Sequence, residues 1–154
     1  KYIEPVAETY AWCLLKNHFH LLVYIKPQNE IDNRKLKYST VEKPRIISAS
    51  KQFSHLFNAY TQAINKRFKR TGSLFEKPFH RKLITFYIHN NPVHHGFCKN
   101  INDYPWSSYG SIISEKPTKT KRKEVIDAFY NLDNFIAYHN QNQDLFDIDG
   151  LIIE

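Results

Sequence analysis

"LLKNHFHLLVYI", residues 14–25, carries two histidines separated by a single residue inside an apolar run. Its flanks decide how it folds. From Thr9 to Ile25 the residues are apolar, aromatic and β-branched, and Lys16-Asn17 interrupts them as a turn. This predicts a β-hairpin, "ETYAWCLL" followed by "HFHLLVYI". Side chains on a strand alternate faces with period two, so His18 and His20 share one face and Phe19 takes the other. Two imidazoles side by side on a rigid strand can grip one divalent cation. The same spacing also suits a partly exposed polar face at a sheet edge, and alone it leaves both readings open.

Working outward, Pro27 to Pro44 turns polar and charged and reads as a loop or a short irregular element. In "SASKQFSHLFNAYTQAINKRFKR", Phe53, Leu56, Phe57, Tyr60, Ile64 and Phe68 recur at helical spacing. Ser48 or Ser50 is placed to cap the start, and Gly72 follows the end. "KPFHRKLI" reads as a strand, and "FYIHNNP" as a helical turn or two stopped near Pro92. The strand ending at Ile84 runs almost directly into Tyr87, with fewer connecting residues than a strand-to-helix joint normally has. A missing spacer is therefore expected there. "INDYPWSSYGSII" reads as an aromatic-rich turn segment, "EKPTKTKRKE" as a basic polar connector, and "VIDAFYNLDNFIAYH" as a short amphipathic helix. There is no internal repeat.

The 154 residues are enough for one domain, or one domain with an appendage, and 11 Phe and 10 Tyr supply ample core. A formal net charge of +7 points to a polyanionic partner, nucleic acid or an acidic membrane surface, though an ordinary basic protein has the same balance. Cys13 and Cys98 are too few for a disulfide framework and form no CxxC pair, which fits a reducing cytoplasm. No apolar run is long enough to span a bilayer and no signal peptide is visible. The chain opens with Lys1 and holds no methionine, so it is expected to be part of a longer product.

A second constellation lies in "FYIHNNPV". On one helix, Tyr87 and Asn91 at i,i+4 share a face. The amide oxygen of Asn91 is a hard ligand suited to Mg²⁺ or Mn²⁺, and the Tyr87 phenol can act as a nucleophile. The plainer alternative is a packing aromatic and a helix C-cap before proline.

"NHFHLLV", "FYIHNNPVHHGF" and "DYPWSSY", in that order across residues 17–109, resemble the REP-associated tyrosine transposases of the HUH superfamily of single-strand DNA nucleases. His18-Phe19-His20 satisfies the histidine–bulky–histidine pattern that names the superfamily. The resemblance implies an α+β fold, a ferredoxin-like βαββαβ antiparallel sheet with helices packed on one face. It places that domain in residues 1–113, short of its first strand and part of a helix, with 114–154 as a basic linker and a small C-terminal helical tail. It implies His18 and His20 as metal ligands, Asn91 as the third, and Tyr87 as the nucleophile, with Mg or Mn as cofactor. His89, His94 and His95 stay outside that ligand set. The implied substrate is single-stranded DNA with palindromic hairpins, in a nucleoid-associated cytoplasmic setting. No membrane partner and no small-molecule cofactor are expected; monomer and homodimer both remain open.

The implied chemistry is self-consistent. A phosphodiester is anionic and resists attack, and a metal can act on it as a Lewis acid. A free tyrosine titrates near about 10, so its hydroxyl needs a nearby cation or base to attack well. Attack leaves a 5′-phosphotyrosine and a free 3′-OH. Rejoining then needs no ATP, which agrees with a sequence lacking a P-loop signature. Lys51, Lys66, Arg67, Lys69, Arg70, Lys77, Arg81 and Lys82 form a region able to track a phosphate backbone, aromatics can stack unpaired bases, and Lys116 to Lys123 is either a second contact or a linker. The competing readings are a non-catalytic single-strand binding module and a water-using metal-dependent nuclease.

Overall fold

The computed structural model describes residues 2–16, 18–31, 48–75 and 85–140. The fold is mixed α+β. Two antiparallel strands, β1 (Ala7–Leu14) and β2 (Phe19–Ile25), form the predicted hairpin. Among the described residues the sheet has these two strands only. The expected strand at residues 77–84 and the junction at Ile84 lie outside them. The helices are α1 (Ala49–Phe68), α2 (Thr85–His94), α3 (Tyr109–Ile113), α4 (Arg122–Asp127) and α5 (Leu132–Asn140), with single 3-10 turns at Gln28–Glu30 and Ile101–Asp103. No helix among the described residues is long and apolar enough to cross a membrane.

The chain divides into two compact units, residues 1–8 with 24–80, and residues 9–23 with 81–154. In the first, the Lys26 N–H donates to the Val6 carbonyl at 2.9 Å, and Val6, Ala7 and Ile31 are buried. The helical spacing of Phe53 and Phe57 brings their rings together, centroids 6.2 Å apart, and Phe57 and Tyr60 each meet the Phe75 ring, at 5.2 and 6.0 Å. Ser48 is the N-cap of α1 but makes no side-chain cap bond. The expected stop at Gly72 lies three residues too late. The helix ends at Phe68 because Lys69 turns left-handed, φ 50°, and its N–H bonds the Asn65 carbonyl.

The second unit holds two apolar clusters. Ala11, Cys13 and Ile88 pack with Leu15, Leu22 and Tyr104. Ile101, Tyr109, Ile112, Val125 and Phe135 form the larger one. The segment read as an aromatic turn is thus partly helical and contributes Tyr109, 1% exposed, to the core. The free edge of β1 is covered by chain rather than by a strand. Leu14 N–H donates to the Trp106 carbonyl, Ser108 N–H to the Trp12 carbonyl and Lys121 N–H to the Thr9 carbonyl, each at 2.8 Å. Single bridges pair Cys13 with Ser107 and Thr9 with Thr120.

Two expectations need correction. Residues 115–124 are not a bare connector. Thr120 is buried beside β1, and the Arg122 guanidinium donates to the Ser111 carbonyl at 2.7 and 3.1 Å and to that of Lys116 at 2.5 Å. The single C-terminal amphipathic helix is two, α4 and α5, broken where Tyr130 takes φ 70°. Asn131 restarts it, its side-chain oxygen accepting the Asn134 N–H at 2.8 Å.

Candidate active site

Pro92 does not stop α2. The helix runs through it to His94, and the i→i−4 pattern continues as the His95 N–H donates to the Asn91 carbonyl at 3.0 Å. A proline lacks the N–H that would reach the residue 88 carbonyl, and near a helix end that loss is tolerated. Gly96 then closes the helix at φ 67°, where a left-handed turn favours glycine, with the Phe97 N–H bonded to the Pro92 carbonyl at 2.8 Å. Tyr87, Asn91 and His95 therefore follow one another at i, i+4 and i+8 along a single face.

That face meets the histidine pair within the second unit. His18 and His20 are ring neighbours, centroids 5.0 Å apart; β2 begins at Phe19, so His18 directly precedes the strand on which it was expected and only His20 lies on it. His20 also lies 5.5 Å from the Tyr87 ring, and His18 lies 5.4 Å from the His95 ring. The two ends of the α2 stripe each touch one histidine, and Asn91 sits one turn from either end. Asn91 is 0% exposed, and its side-chain oxygen and nitrogen have no hydrogen-bond partner among the described residues. A buried amide without partners costs about 1–3 kcal/mol, so this one is suited to a ligand. Imidazole nitrogens and an amide oxygen are groups able to ligate a divalent cation. Desolvation first, and then His95, hold the His18 ring below the ordinary histidine range, which keeps its lone pair available. Among the described residues no group of three His, Cys, Asp or Glu is placed to hold an ion.

His89 points away from this face, into the core. It is 0% exposed and belongs to a polar chain whose direction can be deduced. The Phe135 carbonyl can only accept, so the His139 Nδ1–H donates to it at 2.7 Å. His139 Nε2 then accepts from the His89 Nδ1–H at 3.0 Å. His89 Nε2 in turn accepts from the Ser108 hydroxyl at 2.7 Å, and Ser108 Oγ accepts the Trp12 N–H at 2.8 Å. The chain ties β1, α2 and α5 together without a charge. Burial pushes both imidazoles down, His139 to about 4, because the interior penalises the cation.

Of the other predicted residues, Lys51, Lys66, Arg67, Lys69 and Arg70 are exposed in the first unit, on α1 or just after it. Lys77, Arg81 and Lys82 lie outside the described residues. The sequence reading names His95 and leaves it outside the ligand set; the structure places its ring 5.4 Å from that of His18. The partners of His89 were missed, because no local spacing shows them. Cys13 and Cys98 are free thiols, and burial pushes Cys13 up to about 12, which makes it a poor nucleophile.

Comparison with known proteins gives one informative relative. A Haemophilus influenzae protein that carries the name REP-associated tyrosine transposase is 30% identical over 113 residues, 66% of this chain. The match spans 58% of that protein's own length. No family model and no solved structure matches. Across 66% of its length, then, the chain is similar to a protein that carries that name.

Proposed function

We propose that the chain is a metal-dependent single-stranded DNA endonuclease and strand transferase of the REP-associated tyrosine transposase type, acting through a 5′-phosphotyrosine on hairpin-bearing repeat DNA. One observation carries this reading. The Tyr87–Asn91–His95 stripe brings a phenol to one histidine of the His18–His20 pair and an imidazole to the other, with an unpartnered buried amide between them. The similarity to the Haemophilus influenzae protein supports it independently.

A divalent ion held by His18, His20 and Asn91 would supply Lewis-acid polarisation of the scissile phosphate. The chain's own residues do the rest. β2 carries His20 and His18 directly precedes it, and α2 holds the Tyr87 ring beside His20, so that phosphate and nucleophile meet in one orientation. A bond forms between Tyr87 Oη and phosphorus, and the bond to the 3′ oxygen breaks. The phenolic proton is lost to solvent and the 3′ oxygen takes one up. One ester replaces another, so reversal onto a second 3′-OH needs no external energy.

Incubation of the protein with labelled single-stranded hairpin DNA and Mn²⁺, followed by denaturing electrophoresis, tests this. The expected result is a DNA band retarded by covalently attached protein, absent in excess EDTA. Cleavage without retardation would identify a water-using nuclease, and binding without cleavage a non-catalytic module.

A further inference from the structure

Beside the histidines lies a cavity of about 310 Å³ lined by Lys16, Gly96, Phe97, Tyr104 and Trp106. Its residues have no part in the chemistry above. Trp106 is 61% exposed, so its indole is open to a planar ligand. The Lys16 ammonium sits over the Phe97 ring, 5.3 Å from its centroid. Tyr104, also in the lining, is held in place, since its hydroxyl donates to the Leu14 carbonyl at 2.6 Å. His95 joins cavity to site, with its ring 6.0 Å from Phe97 and 5.4 Å from His18.

We infer that this cavity takes one unpaired nucleobase of the strand whose phosphate lies at the histidines, and so sets where the strand is cut. The inference rests on the proposed single-stranded DNA substrate. The volume is at the small end of ligand pockets, suited to a single planar group. Aromatic walls accept the face of any base by stacking, and a lysine at the rim meets the flanking phosphate. Gly96 adds no side chain, which leaves that part of the lining open.

The test is binding alone, in EDTA, by fluorescence anisotropy of a labelled single-stranded oligonucleotide carrying an abasic site at each position in turn. With the full wild-type chain, one abasic position is expected to weaken binding by about fivefold or more, the ordinary contribution of a stacked base. Trp106→Ala is expected to cost the same factor on intact DNA and nothing further on that abasic strand. Trp106→Leu and Lys16→Gln, at exposed positions, guard against a folding defect and should each weaken binding at the same strand position. Independent, multiplying losses at every position, unchanged affinity of the variants, or no single-strand binding by wild type would each overturn the inference. Because no cleavage is read, coupling at one position together with no covalent product would retain the pocket and reject the reaction.

Discussion

α1 and α2 are opposite kinds of helix. α1 has 20 residues, a regular aromatic stripe and a basic last turn, yet Gln52 is its only buried residue. α2 has 10 residues, a proline and a weak apolar pattern, yet Ile88, His89, Asn91 and Pro92 are buried. Periodicity reports that a helix forms; it does not report how deeply the helix sits. α2 is buried through polar groups, His89 satisfied by Ser108 and His139, and Asn91 left with no partner among the described residues. A polar side chain held inside a protein at a cost is where function is expected.

The largest effect should come from the histidine pair that the α2 face meets. His20→Ala, or His18→Ala, is expected to reduce DNA cleavage at least about 100-fold in single-turnover assays, since a Lewis acid contributes several kcal/mol to such a reaction. The thermal midpoint should change little, because His18 is exposed and His20 half-buried. Full cleavage by the double variant would contradict the metal assignment.

His89→Ala should unfold the contrast between the helices. It opens a cavity and leaves both the Ser108 hydroxyl and His139 Nε2 buried without their partner. A loss of about 3 kcal/mol in urea unfolding is expected. Lys66→Ala or Arg67→Ala, exposed on α1, should stay within about 0.5 kcal/mol. Equal losses at the two helices would break the comparison.

The same network makes stability depend on pH. His139 titrates at about 4 when folded and near about 6.5 when unfolded, and His89 is shifted the same way. The unfolded chain binds more protons between those values, so stability is full above about 6.5 and is lost as pH falls toward 4. Each histidine contributes a slope of at most about 1.4 kcal/mol per pH unit. His139→Gln should lower stability at neutral pH and flatten the slope; an unchanged acid limb would contradict the assignment.

The smallest effects belong to α1. If its basic end contacts DNA, neutralising Lys66, Arg67, Lys69 or Arg70 should each reduce the slope of log affinity against log salt by about 0.7 on single strands. Wild type should bind hairpins with single-stranded flanks more tightly than a perfect duplex. A flat salt dependence would make the cluster simply a favourable helix C-terminus.

Legibility in the sequence followed the range of the forces involved. The hairpin and the shared face of His18 and His20 were readable because strand alternation is local. α1 was readable from its stripe, but its end was not, because a left-handed Lys69 leaves no compositional mark. Tyr130, φ 70° and 91% exposed, hid the break between α4 and α5 in the same way. Tyr87 and Asn91 were nameable from spacing and resemblance. That the stripe touches His18 and His20 depends on packing between segments about 70 residues apart, and the His89–His139 bond on packing between residues 50 apart, and neither leaves a local trace.

The central claim is that Tyr87 is the nucleophile. Wild type and Tyr87→Phe should be reacted with single-stranded hairpin DNA and Mn²⁺, digested with protease and nuclease, and searched by mass spectrometry for a phosphotyrosyl nucleotide. The account predicts that modification on the peptide carrying Tyr87 in wild type. It also predicts that Tyr87→Phe, which loses one oxygen and keeps its ring beside His20, binds DNA normally and forms no adduct. An adduct on another tyrosine, or cleavage by Tyr87→Phe at the wild-type rate, would contradict it.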